Sequence, residues 1–115
     1  MAHLAMAGVK TTLNASRLPS LPTKVEEALY HIAQEALNNA LKHSGGKSVT
    51  IDIQAFDGAI ELKVRDDGQG FDVLGQNAGG MGLANMRQRA EELHGEWKIE
   101  SARGCGTGVT VILPL

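Results

Sequence analysis

The chain has 115 residues, 43% hydrophobic, 21% charged and only 3% aromatic, with a formal net charge of −2. That suffices for one domain with a two-layer core, is too little for two, and excludes a disordered or low-complexity protein. Scattered basic residues argue against nucleic acid as a partner, the lone Cys105 rules out an internal disulfide or thiolate cluster, and the short apolar stretches exclude a membrane span or signal peptide, so a cytoplasmic location is expected.

Along the chain, residues 8 to 14 alternate loosely and predict an edge strand, and "RLPSLPT" then holds two prolines that forbid regular pairing, so a connector ends near Pro22. Thr23 and Glu26 have the spacing of a capping box, and apolar Val25, Ala28, Leu29, Ile32, Ala36, Leu37 and Ala40 predict a long helix ending near Gly45 and Gly46. "SVTIDIQA" and "AIELKVRD" alternate with period two around Asp57-Gly58, a two-residue hairpin signal. After a Gly-rich stretch from 68 to 82, Leu83, Met86, Ala90 and Leu93 mark a second helix that Gly95 is placed to terminate. "EWKIESA" and "GVTVILPL" then read as a second hairpin joined by "RGCGTG". The expected architecture is α+β, with helices layered on one face of a mainly antiparallel sheet.

Three places carry chemistry. Ala28, Ile32, Glu35 and Asn39 share one helical stripe, whose polar end either edges out to solvent or lines a cavity. In the second case Glu35 could orient a water or accept a proton, the Asn39 amide oxygen could join phosphate oxygens around Mg²⁺, and Lys42, one turn on, could meet phosphate charge. In "RDDGQGFD", Asp66 and Asp67 precede Gly68 and Gly70, either as a solvated turn or as carboxylates holding something against which the backbone bends. In "GGMGLANM", Gly79, Gly80 and Gly82 lead into a helix whose N-terminus attracts anions, unless they merely loosen a loop. By contrast "SGGKS" at 44 to 48 is no P-loop, since Leu41 stands where that motif needs glycine and the order runs helix to strand.

"HIAQEALNNALKHS", "VRDDGQGFD", "GGMGLANMRQRAEELHG" and "GCGTGVTVILPL", in this order, closely resemble the ATP-binding catalytic domain of bacterial two-component sensor histidine kinases, in the branch whose regulators carry helix-turn-helix domains. That domain belongs to the superfamily shared with gyrase, the large heat-shock chaperone and the mismatch-repair ATPases. The resemblance covers roughly residues 20 to 115, with 1 to 19 as an N-terminal strand and connector, and implies a two-layer Bergerat-type sandwich. It implies that Asn39 coordinates Mg²⁺, with Glu35 the acidic residue one turn earlier, and that Lys42 and His43 face the phosphates. Asp66 would accept from the adenine amino group, beside Gly68 and Gly70, while Asp67 fills a variable slot and is expected to be solvated. Gly80, Gly82 and Leu83 match the lid motif, Thr107 supports the adenine end, and "FDVLGQNAGG" at 71 to 80 would be a moving lid.

The implied activity is presentation of the ATP γ-phosphate to a histidine on a separate dimerising helical domain, with a response regulator as the indirect partner. His3, His31 and His94 lack the acceptor context, so an isolated, monomeric chain is expected to bind ATP and Mg²⁺ without phosphorylating itself. Alternatives are an anti-sigma-factor type of serine kinase and a non-catalytic nucleotide-responsive module. Trp97 is expected to pack and Cys105 to sit in a turn.

Overall fold

In the computed structural model, residues 2–6, 9–15, 17–40, 48–68, 82–101 and 106–115 are described. Their elements are β1 (Ala2–Met6), β2 (Val9–Ala15), α1 (Thr23–Asn39), β3 (Ser48–Phe56), β4 (Ala59–Asp66), α2 (Leu83–Glu92), β5 (Glu96–Ser101) and β6 (Thr107–Pro114). The strands form one sheet in the order β1-β2-β3-β4-β6-β5, antiparallel throughout except for the parallel β2–β3 pair. The expected mixed, mainly antiparallel α+β sandwich is the observed one.

Period-two patterning sorts the strands into two faces. Val49 of β3, Ile60, Leu62 and Val64 of β4, and Val109, Val111 and Leu113 of β6 are buried against the helices. From α1 come Val25, Ala28, Leu29, Ile32 and Ala36, all at the predicted helical spacing, and from α2 Met86 and Ala90. Trp97 packs at the margin of this core, as expected. Facing away from the helices is a polar surface, on which Gln54 donates to Glu61 across the β3–β4 pair (3.0 Å) and Lys63 lies 3.7 Å from the same carboxylate.

The β3–β4 turn follows the predicted chemistry. Asp57 (φ 50°) and Gly58 (φ 75°) both adopt positive φ, as a two-residue turn matching the strand twist demands.

Local details depart from expectation. Residues 9 to 15 are not an edge strand: β2 lies between β1 and β3, and the edge is taken by β1, whose short segment has no helical or strand period strong enough to announce it. Thr23 and Glu26 form no capping box, because Thr23 is already inside the helix; Pro22 is the N-cap, without a side-chain cap, and its carbonyl accepts from the Glu26 amide at 3.0 Å. The described part of α1 reaches Asn39 with Ala40 as C-cap, so the end expected near Gly45 and Gly46 lies outside the described residues. Cys105 lies outside them as well.

The end of α2 is the most instructive case. His94 (φ 61°), not Gly95, takes the left-handed position, with the His94 amide donating to the Glu91 carbonyl (3.0 Å) and the Gly95 amide to that of Ala90 (2.9 Å). Gly95 is required for space instead, since a Cβ there would lie 2.5 Å from the Ile112 carbonyl oxygen and 2.5 Å from Leu113 Cδ2. Gly95→Ala is therefore expected to cost about 1–3 kcal/mol, the usual range for overpacking. His94→Gly relieves the left-handed backbone and is expected to add about 1 kcal/mol; urea unfolding of both variants checks the pair.

Candidate functional site

At the end of the sheet nearest β4's C-terminus, cross-strand pairing sets Val49, Asp66, Thr107 and Ser101 side by side on four strands. Directly paired residues share a face, so Asp66, Thr107 and Ser101 continue the helix-covered face beyond Val64, Val109 and Ile99. A side that is apolar for most of its length thus ends in three polar groups.

Asp66 is half-buried, and its Oδ1 accepts from the Gly68 amide at 2.8 Å, closing the turn that follows β4. Burial raises its pKa above the ordinary value of 3.8; the backbone amides of Gly68 and Thr107 pull the other way, and neighbouring Asp67 adds to the rise. Gly106 abuts the same strand end with φ 74°, and a Cβ on it would collide with the Asp66 carbonyl oxygen. Ser101 Oγ donates to the Gly106 carbonyl (3.0 Å) and lies 2.8 Å from Thr107 Oγ1. Asp67 is exposed but not simply solvated, which corrects the expectation: its Oδ1 accepts from the Ser48 amide (2.9 Å) and its own amide donates back to the Ser48 carbonyl (3.3 Å). That reciprocal pair ties the loop after β4 to the start of β3.

A second group forms where the helices meet. On α1, Ala28 and Ile32 are buried, while Glu35 and Asn39 farther along the predicted stripe are half-buried. Gly82, the N-cap of α2, has φ 68°, and a Cβ on it would strike Glu35 Oε2 and sit 3.0 Å from Glu35 Cδ. Leu83 opens α2 and packs against the core, anchoring that helix start. The structure therefore gathers Asp66, Gly68 and Thr107 at the sheet end, and Glu35, Gly82 and Leu83 at the helix junction, with Asn39 one turn beyond Glu35 on α1. Lys42, His43, Gly70, Gly80 and the segment 71 to 80 lie outside the described residues.

Ser101 and Gly106 were not foreseen in the site. Gly106 stood inside the "GCGTG" motif without a role, and nothing about Ser101 shows until β5 pairs with β6. A separate concavity of about 670 Å³ is lined from β4, β5, β6 and α2 by four basic and four acidic side chains and holds none of Glu35, Asn39, Asp66 or Thr107. Balanced charge and the Arg87–Glu91 pair at 2.7 Å leave it poorly suited to a polyphosphate.

The described residues thus place a half-buried carboxylate, bonded by the Gly68 amide, at the sheet end, and a glycine-started helix against Glu35 at the helix junction. Residues 24–115 match the model of the histidine kinase-, DNA gyrase B- and HSP90-like ATPase family, and the chain belongs to that family. It is similar to the sensor protein VraS of Staphylococcus aureus (strain COL), with 38% identity over 95 residues, 83% of this chain and 27% of the relative. The VraS of Staphylococcus epidermidis is 37% identical over the same length. The chain therefore spans about a quarter of the length of these curated relatives. Among solved structures it resembles the histidine kinase domain of the blue-light activated histidine kinase from Erythrobacter litoralis EL346, with TM-score 0.80 and 25% identity, covering 94% of this chain and 52% of that one. The mycobacterial sensor histidine kinase MprB shares the fold at TM-score 0.69 and 22% identity, over 90% of this chain and 80% of that one.

Two outcomes follow from this geometry. Because the folded-state pKa of Asp66 is raised, its ionisation opposes folding, a penalty absent below pH 3.8 and complete once the pH exceeds the raised value. Asp66→Asn is expected to raise the melting temperature of the ligand-free protein at pH 7, with the gain shrinking as the pH falls toward 3.8; melts across that range test it. Gly82→Ala is expected to cost about 1–2 kcal/mol from the left-handed backbone alone, plus the collision with Glu35. That second part should vanish in a Glu35→Ala background, which a double-mutant cycle of unfolding free energies measures.

Proposed function

We propose that residues 20–115 bind ATP with Mg²⁺ and present its γ-phosphate for transfer to a histidine on a separate helical phosphoacceptor domain, as one step of two-component signalling. The observation that carries this reading is the Asp66 carboxylate, half-buried at the end of β4 and held by the Gly68 amide at 2.8 Å. So anchored, it faces a nucleobase as a fixed acceptor and needs no reorganisation on binding, which is how a buried polar group gives specificity. Residues 1–19, which hold β1, β2 and the start of the connector, extend the sheet of this domain through the β2–β3 pair.

The residues present fit the proposed ligands. The start of α2 offers backbone amides and the positive end of a helix to phosphate, beside the Glu35 carboxylate that fills the space a Gly82 side chain would take. Asn39, one turn beyond Glu35 on the same face, supplies the hard, neutral oxygen that suits Mg²⁺ beside phosphate oxygens. Mg²⁺, when bound, neutralises phosphate charge. Glu35 brings an acidic group to the same junction, and Leu83 holds α2 in the core so that its N-terminus keeps its aim. Lys42, His43, Gly70 and Gly80 complete the proposed set, with 71 to 80 as the lid. Phosphoryl transfer asks little covalent chemistry of the protein, so these groups act by positioning and by charge.

Among the described residues His31 lies half-buried on α1, its ring 5.6 Å from that of Tyr30, and His94 is locked in the turn after α2. On this reading neither is the acceptor: the domain requires one supplied by the parent kinase, works as a monomer by itself and resides in the cytoplasm. No helix among the described residues is long and apolar enough to cross a membrane. The similarity to proteins named as sensors supports this reading over a serine kinase or a non-catalytic module.

Calorimetric titration with a non-hydrolysable ATP analogue, with and without Mg²⁺, tests the proposal. Saturable, Mg²⁺-strengthened binding is expected, weakened at least about tenfold by Asp66→Asn as a charged hydrogen-bond partner is lost, and with its Mg²⁺ dependence removed by Asn39→Ala. Folded protein that fails to bind at millimolar analogue would end the ATP reading.

A further inference from the structure

The hydroxyl groups beside Asp66 form an ordered chain. Ser101 Oγ lies within hydrogen-bond distance of the Gly106 carbonyl, at 3.0 Å, and of Thr107 Oγ1, at 2.8 Å. A serine hydroxyl carries one proton, and a carbonyl oxygen can only accept. Both contacts are hydrogen bonds only if Ser101 donates to Gly106 and Thr107 donates to Ser101. The single hydroxyl proton of Thr107 is then spent on Ser101, and Thr107 shows any other partner lone pairs alone. Its strand neighbour Asp66, when ionised, likewise offers only lone pairs.

Gly106 fixes this order. Its positive φ of 74° and its contact with the Asp66 backbone leave the carbonyl that receives the Ser101 proton little freedom to turn away. The register Asp66, Thr107, Ser101 across β4, β6 and β5 places all three side chains on one face, so the arrangement is set by the sheet itself.

On the nucleotide reading of this site, on which the inference rests, we infer that Ser101 is a specificity-determining positioning residue: by holding the Thr107 hydroxyl as an acceptor, it makes the site choose a purine with a 6-amino group over one with a 6-oxo group. An amino group has two N–H donors to offer a pair of neighbouring acceptors. A 6-oxo group sets lone pair against lone pair and leaves half-buried acceptors unpaired, a mismatch that polar sites reject. If Ser101 is removed, the Thr107 hydroxyl can turn and donate to the oxo group.

ADP and IDP are suitable probes, because both are inert to transfer and differ only in this edge of the base. Calorimetry on the wild-type chain is expected to show tighter binding of ADP. Ser101→Ala is expected to cut the ADP-over-IDP preference about tenfold, the worth of one hydrogen bond gained or lost, chiefly through improved IDP binding. Ser101→Thr, which keeps the hydroxyl, restores the preference. Thr107→Val lowers it by itself, and adding Ser101→Ala then changes nothing further. If Ser101→Ala binds ADP with the wild-type preference, or shifts the preference equally when Thr107 is already valine, the inference is overturned while the nucleotide reading stands. If folded wild-type protein binds neither nucleotide, both fall. Should Ser101→Ala not fold, a Thr107→Val variant that retains the full preference overturns the inference equally well.

Discussion

The antiparallel register between β4 and β6 governs the rest of the molecule. With Leu62 opposite Val111 and Val64 opposite Val109, it lays a continuous apolar floor beneath the helices; two residues farther on it sets Asp66 opposite Thr107. Core and site are thus successive rungs of one ladder. A slip of one residue would turn the buried valines to solvent and Asp66 away from the helices at the same time, so selection for a packed interior also keeps the carboxylate in place.

Helix α1 carries the same double duty on a different period. Ala28 and Ile32 fill the interior, and the stripe they begin continues without a break into Glu35 and Asn39. The core therefore rotates and seats the polar groups, with no loop between them to blur their position. Gly82 answers from the opposite helix: its missing Cβ is the space that the Glu35 carboxylate occupies, so the start of α2 and the middle of α1 meet with only a charged group between.

Much of this was legible in the residues because it depends on local periods. The Asp57-Gly58 turn, the two hairpin patterns and the apolar spacing of both helices each report their own backbone. What could not be read depends on partners distant in sequence. Nothing in residues 9 to 15 says that β2 lies inside the sheet, since an interior position is conferred by the strand on its far side. The spacing of Thr23 and Glu26 suits a cap, yet the N-cap is one residue earlier, at Pro22, and Thr23 is already helical. Gly95 looked like a left-handed helix terminator, but His94 bears that conformation and Gly95 makes room for β6. Asp67 looked incidental until Ser48 stood opposite it. At the site, Glu35, Asn39, Asp66 and Thr107 were marked by motif and resemblance, whereas Ser101 gains meaning only as the third member of a cross-strand row.

The strand order has a further consequence, for biosynthesis. β6 is the last strand in chain order, yet it sits between β4 and β5, and the Leu115 amide beyond it donates to the Gly58 carbonyl at the β3–β4 turn (2.9 Å). As the polypeptide leaves the ribosome, β3 and β4 emerge as a hairpin with one bare flank, and Asp66 stands at its end without a cross-strand neighbour on that side. Only arrival of β6 covers the exposed hydrogen-bonding groups and closes the interior. An incomplete chain thus has neither a finished core nor Thr107 opposite Asp66, so interior and sheet end are completed by the same late strand.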